Sequence, residues 1–209
     1  MRTTGKKELK EALNLHALWL RGEAEGVRAD LRNANLMGAD LRNANLIYAN
    51  LIYANLIGAN LTDANLMNAN LSHANLRYAN LRHADLMSSD LRYADFMDAN
   101  LRNANLRNAN LMNANLMYAG LRNANLMDAN LMNAAGNRRQ IKNISHLNQY
   151  LITYTNQTLQ IGCERHTIEE WKNFSDEEIA KMDGRHALEF WDKYKQHILD
   201  IVRENPCDG

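Results

Sequence analysis

The chain has little of what holds a small secreted or membrane protein together. Only two cysteines, Cys163 and Cys207, occur in 209 residues, both in the C-terminal region, so a disulfide framework is not expected. No apolar run approaches the roughly 18 residues of a membrane span, and the N-terminus, MRTTGKKELKEALNLH, has no uninterrupted apolar core of signal-peptide length. The expectation is a cytoplasmic protein with reduced thiols and no membrane contact. Excess charge is lacking as well. The 24 basic and 24 acidic residues cancel, which argues against direct nucleic-acid binding.

Signatures of catalysis are equally scarce. There is no Gly-rich phosphate loop, no Walker motif and no H-E-x-x-H. Cys163 and His166 stand at C-x-x-H spacing with Glu169 and Glu170 nearby, but a zinc site needs two further ligands. His146, His186 and His197 could supply one, yet none belongs to a paired motif. A Cys/His nucleophilic pair lacks a recognisable orienting partner. The plainer expectation is a buried thiol and a structural or surface histidine, with no enzyme activity, cofactor or metal.

What the sequence has in abundance is a count of five. ANLIYANLIYANLIGANL, residues 44–61, carries almost the same five letters three times. In one helix, steps of five would turn each Leu by about 140° and spread leucines round the cylinder. In one straight strand, an odd step would send successive leucines to opposite faces. They share an environment only if the chain turns a corner every five residues, which makes a coil that stacks into a solenoid.

The motif A-[D/N]-L-x-x runs without interruption from Ala29-Asp30-Leu31 to Ala129-Asn130-Leu131, twenty-one units, and resembles the pentapeptide-repeat family. The resemblance implies a mainly β fold, a right-handed quadrilateral β-helix with four pentapeptides per coil. Twenty-one units then give about five coils over residues 29–136, roughly 25 Å at the ~4.8 Å spacing of β-layers. Leu, replaced once by Phe96, and Ala, replaced once by Ser89, fill the interior. Between them sits Asn or Asp, expected to adopt the unusual backbone angles of corners and to hydrogen-bond locally, with Gly120 the one substitution.

Both flanks differ from the repeats. Residues 1–28 read as an N-terminal cap with an amphipathic helix, because Leu9, Leu13, Ala17 and Leu20, with Ala12 and His16, recur at helical spacing. The stretch also resembles an HxxWL leader of bacterial pentapeptide-repeat proteins, with His16 and Trp19 as packing residues. In residues 137–209, RRQIKNIS, YLITYT and TLQIGC predict short strands that extend the last solenoid layer. Capping-box spacing at Thr167 and Glu170, and at Ser175 and Glu178, predicts two helix starts. A final helix near Arg185 to Arg203 would turn Ala187, Trp191, Tyr194, Ile198 and Ile201 to one side before Pro206. This tail is similar to one behind repeats in other bacterial and phage proteins, a likeness that implies no function.

A solid interior leaves the outside to act. With four units per coil, residues twenty apart stack in columns. One column of first x positions is Arg42, Thr62, Arg82, Arg102 and Arg122; another is Ile47, Met67, Met87, Arg107 and Met127. Stacked arginines repel by about 1 kcal/mol per pair even in water, which an anionic partner would relieve, although neighbouring Asp63 can also compensate. Flexible methionines suit adaptable contacts. The column residues Arg42, Arg82, Arg102 and Arg122, with Met67, Met87 and Met127, form the candidate partner surface, or else a simple solvated face. Tyr48, Tyr53, Tyr78, Tyr93 and Tyr118 scatter over three faces and make no evident stacking platform, and His73 and His83 share no column.

Two functions remain. One is a non-catalytic scaffold that binds a protein partner, as yet unidentified, through a solenoid face or its C-terminal helices, which could also form a homodimer. The other comes from the resemblance: some family members imitate duplex DNA and occupy the DNA site of DNA gyrase. Such a decoy should be acidic, whereas these repeats hold eight Arg and eight Asp.

Overall fold

In the computed structural model, which describes residues 2–3, 6–137, 141–147 and 150–207, a repeat in the middle of the coil sends its five amides to five different acceptors. In residues 49–53, Ala49 N donates to Leu46 O, Asn50 N to Ala29 O, Leu51 N to Asn70 O, and Tyr53 N to Ser72 O, at 2.7–3.1 Å. The amide of Ile52 reaches no neighbouring coil and donates to the side-chain Oδ1 of Asn50 at 3.3 Å. A buried or half-buried amide without a partner is costly, so this one bond explains why the second residue is Asn or Asp. Gly120 cannot supply it to the amide of Arg122.

Successive coils are joined by parallel bridges that pair each second residue with the one twenty further on, from Asp30↔Asn50 to Asn115↔Ala135. One coil is therefore four repeats. The leucines from Leu46 to Leu116, with Phe96 among them, are 0% exposed, and the alanines beside them are equally buried. Ser89 joins this interior without an orphaned hydroxyl, since its Oγ donates to Leu86 O at 2.6 Å.

One expectation about corners is overturned. The left-handed backbone conformation falls on the fifth residue of every repeat, at φ of 55–63°, not on Asn or Asp at the second. Leu, the two x residues and the next Ala form a turn closed by Ala N to Leu O, and its third position needs positive φ, as in type II turns. Gly38 and Gly58 meet that need without strain, and Asn elsewhere tolerates it.

The coils lie in the first of two units, Met1–Asn137 and Arg138–Gly209. Strand β1 (Arg2–Thr3) pairs in parallel with β2 (Ala34–Asn35), and helix α1 (Lys6–Leu20) lies between them in sequence. The apolar face expected on α1 is only half-buried at Leu9, Leu13, Ala17 and Leu20, whereas His16 is 0% exposed. His16 Nδ1 accepts from Ala29 N at 3.1 Å, and its ring stacks on Trp19. Gly26 crosses the helix so closely that a Cβ would stand 2.2 Å from Trp19 N.

The second unit holds a four-stranded antiparallel sheet in the order β3 (Lys142–Leu147), β4 (Tyr150–Tyr154), β5 (Thr158–Ile161) and β6 (Glu164–Thr167). These strands pair with one another in antiparallel fashion, unlike the parallel bridges of the coil. The segment Arg138, Arg139 and Gln140 of the first expected strand lies outside the described residues. Both capping boxes form, at Thr167 before α2 (Ile168–Asn173) and at Ser175 before α3 (Asp176–Glu204). Helix α3 breaks at Asp183 and Gly184, so its second part begins at Arg185. Trp171, Ile179, Phe190, Trp191, Ile198 and Val202 pack over Ile152, Leu159 and Ile161 of the sheet. Phe190 and Val202 complete the buried side of the last helix, and Ile201 stays half-buried. Among the described residues no helix is long and apolar enough to cross a membrane.

Two outcomes follow for stability. Gly120→Asn restores the missing acceptor where an added Cβ meets only ordinary contacts, and should raise the urea midpoint by an equivalent of about 0.5–1.5 kcal/mol. Burial pushes the His16 imidazole below its ordinary 6.5, with the Ile47 carbonyl opposing and Arg28 adding to the shift. The unfolded chain then takes up the proton first, so this contribution is complete above about pH 6.5 and is lost as pH falls through the folded value. The urea midpoint should drop between about pH 7.5 and pH 5, and less so in His16→Asn, whose amide oxygen can still accept from Ala29.

Candidate functional site

Except at Arg122, which follows Gly120, the amide of the first x residue is held by Asn or Asp two residues before. Where that residue is Asp and the first x is Arg, the carboxylate takes the guanidinium too. Arg32 binds Asp30, Arg42 binds Asp40 and Arg92 binds Asp90, each through Nε and Nη2 at 2.6–2.8 Å. Hydrogen bonds from Arg42 hold the Asp40 carboxyl down at about 2. Arg32 likewise lowers Asp30; at Asp90, burial pulls upward but the bonds from Arg92 outweigh it.

The expected four-arginine column therefore divides. Arg42 is locked to Asp40, and above it Thr62 turns its hydroxyl to Asn60 Oδ1 at 2.7 Å. Arg82, Arg102 and Arg122 follow Asn80, Asn100 and Gly120, which carry no charge, and among the described residues no ion pair holds them. Among the described residues Asp63 forms no ion pair either. Three exposed guanidinium groups thus stand on consecutive coils, roughly 5 Å apart along the column. The next column turns Met67 and Met87 outward half-buried and Met127 exposed, with Arg107 between the last two, 4.0 Å from Asp128. Arg77, in the preceding column, leans over the Tyr78 ring and lies 3.9 Å from Asp95.

One surface feature escaped the sequence reading. His73 is sandwiched between Tyr53 and Tyr93, with ring centroids 4.7 Å apart on both sides and interplanar angles of 22° and 4°. The three residues are spaced by twenty, so the signal was present, but counting tyrosines alone hid the histidine between them. In the second unit, Cys163 is the exposed thiol and Cys207 the buried one, the reverse of the expectation for Cys163. His166 is spent on edge contacts with Trp171 and Phe174, and Glu170 closes the capping box at Thr167. Among the described residues no three His, Cys, Asp or Glu side chains converge as metal ligands.

The family model for pentapeptide repeats matches in eight copies over residues 27–63, 64–103 and 94–133, just over half of the chain. The chain belongs to the pentapeptide-repeat family. Membership implies a right-handed β-helix, in keeping with the twenty-residue bridges. Among solved pentapeptide-repeat structures, Rfr23 from Cyanothece 51142 is 30% identical over 59% of this chain and 97% of its own, with a TM-score of 0.52. HetL, involved in heterocyst differentiation regulation in Nostoc sp. strain PCC 7120, is 36% identical over 53% of this chain, with a TM-score of 0.41. QnrB1, a plasmid-mediated fluoroquinolone resistance protein, is 24% identical over 53% of this chain, with a TM-score of 0.46. The chain spans 59% of the length of HetL and of QnrB1. A comparison with curated proteins finds no match.

The local rule for pentapeptide arginines is directly testable. Asn80→Asp, Asn100→Asp and Gly120→Asp together should lock Arg82, Arg102 and Arg122 as Asp40 locks Arg42. Modification by phenylglyoxal, followed residue by residue in mass spectrometry, should then slow at all three to the rate of Arg42.

Proposed function

We propose that this protein is a non-catalytic scaffold, a four-sided coil closed at its N-terminal end by α1, that holds an acidic segment of a partner protein against one face. The observation that carries this reading is the column of Arg82, Arg102 and Arg122. Elsewhere in the coil the three D-L-R repeats neutralise their own arginine, while here three successive arginines form no ion pair among the described residues and repel one another by about 1 kcal/mol per pair. A carboxylate-rich strand or loop would satisfy all three with bidentate hydrogen bonds. Met87 and Met127 in the next column offer apolar contacts that adapt to the partner's shape. The coil itself moves little on binding, because its amides are already satisfied, so the docking face is organised before the partner arrives.

Imitation of duplex DNA fits this surface less well. The repeats hold equal numbers of Arg and Asp, and among the described residues the side chains outside ion pairs balance too, Arg82, Arg102 and Arg122 against Asp63, Asp85 and Asp98, so the coil offers no excess negative charge to stand in for a phosphate backbone. Inhibition of gyrase supercoiling at stoichiometric protein would replace the scaffold reading with mimicry.

The scaffold reading is tested by capture from native lysate with the full chain and with two variants. Arg82→Glu, Arg102→Glu and Arg122→Glu together should abolish capture of the partner. The variant with Asp at 80, 100 and 120 should weaken it while leaving every arginine in place. Capture should also fall steeply with added salt. A partner retained by both variants would move the interface away from this face.

A further inference from the structure

The second unit contains a cavity of about 230 Å³ that the scaffold reading does not use. Four aromatic rings wall it, Tyr150 from β4, Trp171 from α2, and Phe190 and Trp191 from the second part of α3. Trp171, Phe190 and Trp191 are no more than 4% exposed. The rings meet at angles, with Tyr150 edge-on to Phe190 at 4.7 Å and Trp171 tilted against Trp191 at 4.9 Å. Exposed Asp183 and half-exposed Glu164 lie at the rim, and among the described residues no lysine or arginine lines the cavity.

The rim is a built feature. Asp183 and Gly184 interrupt α3 with non-helical backbone angles, and Gly184 takes φ of 59° and ψ of −143°, a combination reserved almost wholly for glycine. A Cβ on Gly184 would touch nothing within 4 Å, so the glycine is required by the break and not by crowding. The break sets the Asp183 carboxylate where the Tyr150 hydroxyl donates to it at 2.5 Å, fixing one wall of the cavity to its rim.

We propose that this cavity binds a small organic ammonium ion, its apolar body among the four rings and its charged nitrogen at the carboxylates of Glu164 and Asp183. Aromatic faces attract cations through their quadrupole, and desolvation strengthens the effect. Lys195 shows the tendency locally, placing its ammonium 5.6 Å from the Trp191 centroid without lining the cavity. The size narrows the ligand class. An apolar cavity of about 150 Å³ holds benzene, while drug-sized ligands occupy about 300–1,000 Å³, so one ring or short chain bearing an amine fits.

Phenethylammonium is a suitable probe, and phenylacetate is its control of similar shape and opposite charge. Binding to the full chain is read in two ways, by tryptophan fluorescence in a Trp19→Phe background and by the rate at which iodoacetamide alkylates Cys163, the exposed thiol on the cavity wall. The amine should saturate the fluorescence change with an affinity of about 1 mM or better and slow alkylation in parallel. Phenylacetate should bind at least about tenfold more weakly, a difference that Glu164→Gln with Asp183→Asn should erase. Glu164→Gln alone, which leaves the Tyr150 bond intact, should reduce it. No saturation by about 10 mM, equal binding of phenylacetate, or a charge preference unchanged in folded variants would each overturn the proposal.

Discussion

The hydrogen bond from the fourth amide of each repeat to the side-chain oxygen two residues earlier is the contact on which the coil depends. Four of the five amides are satisfied by backbone carbonyls, three of them in neighbouring coils. The remaining amide is met by the side-chain oxygen of the Asn or Asp two residues before, which reaches back to it. This bond fixes the second residue, holds the turn at its tight angle and leaves Leu and Ala facing inward. Because either Asn or Asp supplies the same oxygen, folding is indifferent to charge at that position. The choice between them then decides whether a following arginine is neutralised or presented.

That separation explains why the surface could be read more finely than composition allows. Eight arginines and eight aspartates cancel in the sum, yet Asp40 silences Arg42 while Asn80 leaves Arg82 exposed. Net charge hides the pattern because the tightest pairs, at Asp30, Asp40 and Asp90, form within single repeats, over two residues.

Much of the fold was legible because a period of five admits one consistent geometry. The interior assignment at Leu and Ala followed directly, and so did both capping boxes, whose spacing is a local property. The features that were missed depend on context. Asn resembles a left-handed corner residue wherever it stands, and only the hydrogen-bond pattern shows that Tyr53 or His73 carries the positive φ while Asn50 makes the side-chain bond. Strand β6, Glu164-Arg165-His166-Thr167, buries none of its side chains fully, so it has no apolar alternation and its sequence reads as loop. Phe190 and Val202 are buried in the second unit while Ile201 is half-buried, a difference that helical spacing alone does not encode. The outward candidates Met67, Met87 and Met127 were placed in one column by arithmetic, but their unequal exposure depends on the residues stacked above and below.

The bridge spacing of twenty residues also governs how such a gene can change length. Gain or loss of a single repeat keeps the interior intact but shifts every later side chain by one column, scrambling whatever the surface had aligned. Four repeats together restore the alignment. A coil of this kind can therefore grow by tandem duplication of twenty codons without losing its recognition face, whereas duplication of five codons preserves the fold and rewrites the surface.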